Sequence, residues 1–226
     1  MSSGYRRKNG VATAFFKRGD GANAKIAVII RIEVIMSASA VSYHVTPAPG
    51  GHRFTVRQHV PVAPESDIAF YLPVWIPGSY MRRDFARFLS RLAVTDADGN
   101  AIPFAFDNPS RWCLRVPPAC HELHIYYTIY ARDISVRGNY LDHERGFLNP
   151  CATCLAIEGY EHLPHRLVLA LEGHRAGWQI TGAQTGGDGA YWFENYEQLI
   201  DTPLMFAAEL TILPFTAGGV PHDIVI

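Results

Sequence analysis

The stretch His52–Val62 reads HRFTVRQHVPV, and its apolar and polar residues alternate. The positions on one side of an extended chain are apolar: Phe54, Val56 and Val60. The outward positions include three basic side chains: Arg53, Arg57 and His59. Because successive side chains of a β-strand point to opposite faces of the sheet, this period of two predicts a half-buried strand.

Strand-like stretches of similar composition recur along the chain between turn signals. They are Ile68–Val74, Leu89–Thr95, Ser110–Val116, Glu122–Tyr130, Arg166–Leu171, Tyr191–Asn195 and Met205–Leu213. Asp98-Gly99-Asn100 predicts a hairpin turn. The best helical candidate is one short turn around Met81–Leu89. We therefore predict an all-β fold, either an antiparallel β-sandwich or a strongly bent sheet, with little helix.

The composition indicates a globular protein and excludes some partners. The chain has 226 residues, of which 48% are hydrophobic and 18% charged, with a net charge of −1. This size is sufficient for a large hydrophobic core. The charge argues against a nucleic-acid partner, which requires a concentrated basic surface. No stretch approaches the roughly 20 apolar residues of a transmembrane helix, so we expect no membrane span.

The charge is concentrated at the N-terminus, where residues 1–35 hold seven basic residues against Asp20 and Glu33. Three interpretations stay open: a signal peptide, a basic tail, or an over-extended reading frame that truly starts at Met36. We predict that residues 1–40 form a basic extension, either disordered or upstream of the true start. Residues 41–226 would form the β-domain. A cytoplasmic location is favoured, unless the extension is a secretion signal.

The stretch Leu72–Phe85 reads LPVWIPGSYMRRDF. It places a turn motif, aromatic residues, two arginines and an aspartate within a few residues after a predicted strand. Pro77 and Gly78 suit the two central positions of a type II turn, the second of which requires a positive φ. Arg82, Arg83 and Asp84 are expected to brace the loop through an ion pair rather than to act in catalysis. We predict a docking loop formed by Trp75, Pro77, Gly78, Ser79, Tyr80, Arg83 and Asp84.

The docking loop resembles the signature of the glycyl aminopeptidase family of zinc metallopeptidases (PDZ-containing aminopeptidases), in their N-terminal, non-catalytic β-domain. The run Tyr196–Pro203, YEQLIDTP, adds to this likeness, which covers residues 41–226. The resemblance implies the front part of a zinc aminopeptidase that removes small N-terminal residues such as glycine or alanine from peptides. The implied partners are the enzyme's own catalytic domain and a peptide substrate.

The chain carries no His-Glu-x-x-His, the motif in which two histidines one helical turn apart bind zinc and the glutamate acts as base. His121–His124 and His162–His165 have the wrong spacing, and in His143–Phe147 the second histidine is replaced. We therefore expect no catalytic residues, no metal ligands and no cofactor in this chain. The resemblance places zinc in a separate catalytic domain, so the chain alone should be inactive.

The four cysteines are best interpreted as free thiols. Cys151 and Cys154 with His162 and His165 could be drawn as a zinc site, but the spacing differs from that of known zinc motifs. We favour small hydrophobic residues in a strand-like region. Two further cysteines, Cys113 and Cys120, could face each other across a hairpin end, and a disulfide would need an oxidising compartment.

The resemblance also implies that such a β-domain contributes polar groups to the pocket for the substrate's α-amino group. The candidates are Asn149, Glu158 and Tyr160, because carboxylates and amide oxygens accept hydrogen bonds from an ammonium. An alternative is a free-standing β-sandwich module that binds carbohydrate or protein. Its platform would be formed by Trp75, Tyr80 and Tyr140.

Overall fold

The structure is a computed structural model that describes residues 40–76 and 78–226, apart from the side chain of His174. Of the first 39 residues it describes only the backbone of two paired strands, β1 (Arg7–Lys8) and β2 (Val11–Ala12). Contacts divide the chain into units of residues 1–38 and 39–226. The remaining predictions for the N-terminal extension lie outside the described residues.

The largest sheet has six strands and contains residues 53–61 of the stretch His52–Val62. In spatial order its strands are β15 (Tyr191–Phe193), β13 (His165–Leu169), β3 (Val41–Ala48), β4 (Arg53–Pro61), β9 (Glu122–Tyr130) and β6 (Leu89–Thr95). Neighbours pair antiparallel except β13 and β3, which are parallel. The predicted alternation on β4 is confirmed, since its inward apolar side chains are fully buried.

Two four-stranded antiparallel sheets complete the framework. The first contains β12 (Ala156–Ile157), β5 (Asp67–Tyr71), β8 (Arg111–Arg115) and β7 (Ala105–Asn108). The second contains β10 (Tyr140–Leu141), β11 (Arg145–Leu148), β16 (Leu204–Ala207) and β14 (Gln179–Thr181). The last strands, β17 (Ile212–Ala217) and β18 (Val220–Val225), form a separate hairpin.

Helix is scarce in the described residues, which confirms the all-β prediction. Four short 3-10 helices occur at Pro49–Gly51, Phe85–Phe88, Pro150–Ala152 and Gly173–Arg175, and one α-helix, α1, at Tyr196–Ile200. The prediction of a single strand at Met205–Leu213 was wrong, because β16 ends at Ala207 and β17 begins at Ile212. None of the described helices has the length and apolar character needed to cross a membrane.

Buried side chains of all three large sheets form one continuous hydrophobic core. Phe206 on β16 packs against Phe54 on β4 with their ring centroids 6.3 Å apart. Gly146 pairs with Phe206 across β11 and β16, and a Cβ there would lie 2.1 Å from the Phe206 ring. The close approach of these two strands therefore requires glycine at position 146.

Three buried tyrosines attach the segment 153–155 to the rest of the core. The Tyr127 hydroxyl donates to the Thr153 carbonyl at 2.9 Å, and the Tyr43 hydroxyl donates to the Leu155 carbonyl at 2.8 Å. The carbonyl of residue 154 accepts from Tyr196 at 2.7 Å. Because buried carbonyl groups need partners, these bonds fix the path of the chain into β12.

Candidate functional site

The docking loop contains the turn that the sequence predicts. The Ser79 amide donates to the Ile76 carbonyl at 3.1 Å, and Gly78 has a φ of +73°. The Arg83 amide donates to the Val74 carbonyl at 2.8 Å and closes the base of the loop. Pro77 lies outside the described residues. The positive φ confirms the need for glycine at the second central position of the turn.

Ser79, and not Asp84, braces the loop from within. Ser79 is only 4% exposed, and its hydroxyl accepts a hydrogen bond from Arg83 Nε at 2.8 Å. Asp84 is exposed and forms no ion pair with any described residue. The expected ion pair of Arg82 or Arg83 with Asp84 is therefore not formed, because the Ser79 hydroxyl binds the Arg83 guanidinium instead.

The outer part of the loop exposes large apolar side chains. Trp75 is 61% exposed, Tyr80 is 92% exposed and Met81 is 64% exposed. The ring of Tyr140 does not join them, because it is half-buried beside Arg145 and its hydroxyl donates to Asp142 at 2.7 Å. Of the three aromatic residues named in the alternative interpretation, Tyr140 is therefore the least exposed.

A cleft of about 610 Å³ opens beside Trp75. Its walls come from the docking loop, β5, β8 and the region around α1, and its polar lining includes Tyr71, Asn108, Ser110, Arg111, Glu161, His162 and Asn195. A concave surface with a few convergent polar groups is the default hypothesis for a ligand-binding site.

Glu161 and Tyr71 form the acidic side of this cleft. The Tyr71 hydroxyl donates to Glu161 Oε1 at 3.0 Å. Burial and the hydrogen bond to Glu161 raise the pKa of Tyr71 to about 12, so the phenol stays a neutral donor. Among the described residues, no basic side chain forms an ion pair with Glu161. This carboxylate can therefore accept a cationic group from outside.

Glu158, one of the predicted amine-binding residues, already has a cationic partner. Its Oε2 accepts a hydrogen bond from Arg111 at 2.5 Å, and the same guanidinium binds Asp107 at 2.8 Å. These two carboxylates raise the pKa of Arg111, which stays charged. The Glu158 charge is therefore largely compensated within the chain.

The other two amine candidates do not contribute free polar groups to the cleft. Asn149 is buried, and its side-chain amide donates to the Arg137 carbonyl at 3.2 Å. Tyr160 is half-buried against the hydrophobic core, and burial raises its pKa. None of the three predicted amine-binding residues lines the cleft, whereas Glu161, which was not among them, does.

All four cysteines are free thiols. Cys151 lies in a 3-10 helix and not in a strand, and burial raises its pKa to about 12. Cys154 is fully buried, and burial raises its pKa as well. Both thiols therefore stay protonated at neutral pH and serve as core residues. His165 is fully buried, and burial lowers its pKa to about 4.

In the part of the chain that the structure describes, one group brings three metal-ligating side chains within 4.8 Å of one another: His59, Glu122 and His124. Burial lowers the pKa of His59 against the opposing hydrogen bond to Glu122, and the charges of His124 and Arg57 lower it further. The cysteine–histidine arrangement considered from the sequence does not form such a group.

Comparisons with known proteins agree with this architecture. A family model described as the peptidase M61 N-terminal domain matches residues 42–208. An aminopeptidase N family protein from Idiomarina loihiensis is similar in structure, with a TM-score of 0.71 and 33% sequence identity. The match covers 82% of this chain and 32% of that protein, so the chain spans about a third of its length.

A weaker match is aminopeptidase A of Legionella pneumophila in complex with aspartic acid. Its TM-score is 0.46 at 9% identity, over 82% of this chain and 23% of the other. A likeness of this size supports no residue-by-residue comparison. Among curated proteins, none matches the chain.

Proposed function

The chain belongs to the family of peptidase M61 N-terminal domains, and from that premise we propose that it is the non-catalytic domain of a zinc-dependent aminopeptidase specific for N-terminal glycine or alanine. The His-Glu-x-x-His motif is absent from its sequence, so this chain does not fit the catalytic zinc of such an enzyme. Zinc chemistry would belong to a catalytic domain with which this chain packs. The chain alone would then bind and position peptide ends without cleaving them.

The exposed hairpin β17–β18 supports the packing part of this proposal. Its apolar side chains are about half exposed: Ile212, Leu213, Phe215, Val220 and Ile224. An isolated two-stranded hairpin is marginally stable in water, and an exposed apolar patch of this kind is typical of an interaction surface. The hairpin therefore suits burial against a neighbouring domain.

The docking loop also supports packing against a catalytic domain, through exposed aromatic side chains. Trp75 and Tyr80 offer large apolar rings with polar ends, and such residues are enriched in the centres of interfaces. The buried Ser79–Arg83 hydrogen bond limits the flexibility of the loop. Because a preorganised loop loses less conformational entropy on docking, we assign it to the rim where the catalytic domain and the cleft meet.

Glu161 is the single observation that carries the proposed role in substrate binding. Its carboxylate lines the cleft, accepts a hydrogen bond from Tyr71 and has no cationic partner among the described residues. An α-ammonium group would supply that cation through a charge-assisted hydrogen bond. Glu161 therefore replaces Glu158 as the amine-binding residue of the proposal.

The proposal is tested by measuring glycine release from a glycyl amide with the chain alone and with the full-length protein that contains it. We expect no release by the chain alone. The full-length protein should release glycine, and a zinc chelator should abolish this activity. Release of glycine by the chain alone would overturn the proposal, and so would a full-length protein without aminopeptidase activity.

A further inference from the structure

Three potential metal ligands meet on the outer face of the largest sheet. His59 on β4 lies directly opposite His124 on β9, and Glu122 precedes His124 by two residues on the same strand. Because alternate residues of a strand share a face, all three side chains project to the same side. The register of β4 on β9 thus creates a cluster from residues that are 63 positions apart in the sequence.

The distances within the cluster are close to those that a single ion requires. Glu122 Oε1 lies 2.9 Å from His59 Nδ1 and 3.1 Å from His124 Nε2. Tetrahedral zinc with bonds of about 2.1 Å places its ligand atoms about 3.4 Å apart. Small side-chain rotations, without a backbone change, would therefore open the cluster enough to admit an ion.

The three side chains of the cluster are partly exposed to solvent. The side chains of His59, Glu122 and His124 are 35%, 43% and 18% exposed, respectively. An ion could therefore enter from solvent and keep a fourth position for water, as in open zinc sites. Tyr126 Oη lies 3.5 Å from His124 Nδ1, the ring nitrogen that faces away from Glu122. A partner at the second nitrogen is what orients metal-bound imidazoles.

The strand neighbours of the two histidines outside the cluster are uncharged. Ser42 lies opposite His59 on β3, and Thr95 lies opposite His124 on β6. Arg57 is the basic residue whose charge acts on His59, and its guanidinium lies over the Tyr126 ring at 5.5 Å from the centroid. Among the described residues, Glu122 pairs with the two histidines and forms no ion pair with an arginine or lysine.

We propose that His59, Glu122 and His124 bind one divalent transition-metal ion of the zinc class on this face. The two imidazole rings lie 4.2 Å apart, centroid to centroid, and share one carboxylate oxygen. An ion placed between them would be coordinated by one nitrogen of each ring and by the carboxylate. Nitrogen and carboxylate ligands of this kind suit zinc, copper, nickel and cobalt better than calcium or magnesium. This departs from the expectation that the chain holds no metal ligands.

The test is isothermal titration of zinc chloride alone into the chelator-treated chain. We expect one ion per chain, and affinity at least about tenfold weaker in each of the variants His59→Gln, Glu122→Gln and His124→Gln. His44→Gln is the matched control, since His44 is exposed on the neighbouring strand and lies outside the cluster. It should leave the affinity unchanged.

A second readout distinguishes ligation from a general effect on folding. Zinc should raise the melting temperature of the unsubstituted chain and leave that of His59→Gln/His124→Gln unchanged, because binding to the native state alone stabilises it. Absence of zinc uptake would overturn the proposal. Uptake that survives the double substitution and disappears on thiol alkylation would also overturn it, since the ligands would then be cysteines. Neither result bears on aminopeptidase activity.

Discussion

The hydroxyl of Tyr127 donates to the carbonyl oxygen of Thr153 at 2.9 Å, and the same hydroxyl accepts from the Leu155 amide at 3.2 Å. These two hydrogen bonds join β9, a strand inside the largest sheet, to the segment 153–155, which leads into β12. Glu158 follows β12 directly, and Glu161 lies three residues further along the chain. The position of Glu161, the carboxylate that lines the cleft, therefore depends on hydrogen bonds made inside the core.

Removal of this hydroxyl should destabilise the fold. Tyr127→Phe leaves a buried carbonyl and a buried amide without their partner, and the expected loss is about 1–3 kcal/mol in the free energy of unfolding. Urea denaturation measures it. Tyr126→Phe, on the outer face of the same strand, is the control and should change stability by less than about 0.5 kcal/mol. Equal losses in both variants would contradict this account of Tyr127.

Gly146→Ala should disrupt the packing of β11 on β16. The new Cβ would lie 2.1 Å from the Phe206 ring, which itself packs against Phe54. Overpacking of this kind costs about 3 kcal/mol, so the midpoint of urea unfolding should fall. Gly187→Ala is the control because a Cβ at that position would meet no atom within 4 Å beyond its chain neighbours. A Gly146→Ala variant as stable as the control would be inconsistent with the described strand spacing.

The free energy of unfolding should decrease as the pH is lowered from about 6.5 to about 4, because of His165. Burial lowers its pKa from 6.5 to about 4 in the folded chain. In that window the unfolded state binds a proton that the folded state does not, so the free energy of unfolding decreases as the pH falls. The loss from this residue alone is about 3 kcal/mol. It is complete near pH 4, and above pH 6.5 the residue contributes no pH dependence.

The comparison of His165→Gln with the unsubstituted chain isolates this effect. The slope of unfolding free energy against pH should be smaller in the variant between pH 6.5 and pH 4. His143→Gln, an exposed histidine, should keep the original slope. Identical slopes for all three proteins would show that His165 is not protected from protonation in the folded state.

Under the proposed function, Glu161→Gln should weaken substrate binding by the full-length protein that contains this chain. Loss of one charge-assisted hydrogen bond to the α-ammonium predicts a decrease of about 10- to 100-fold in kcat/KM for a glycyl amide. Glu158→Gln is the matched control, because Arg111 already compensates that carboxylate. A large effect of Glu158→Gln with none of Glu161→Gln would restore the assignment made from the sequence.

The strands were the most predictable part of the fold. The bounds predicted for Leu89–Thr95 and Glu122–Tyr130 are those observed. In the second of these strands, alternation over nine residues is a strong signal. The helix Tyr196–Ile200 was missed because five residues are too few to show helical periodicity. Its start could have been recognised, because Asn195 caps it by accepting from the Gln198 amide at 2.8 Å.

The site was predicted only where its chemistry is local in the sequence. The positive φ of Gly78 follows from a turn motif, and it is present. The choice between Glu158 and Glu161 depends on Arg111, which is 47 residues from Glu158. The meeting of His59 with His124 depends on the register of two strands. Such pairings are decided by tertiary packing, which spacing in one sequence does not reveal.

The sequence of the source locus beyond the codon for Ile226 tests the central claim most directly. If the chain is the N-terminal domain of a zinc aminopeptidase, the reading frame continues and encodes His-Glu-x-x-His with a later glutamate, the residues that such a catalytic zinc needs. A stop codon directly after Ile226 would contradict the account, because this chain would then have no catalytic domain in its own polypeptide.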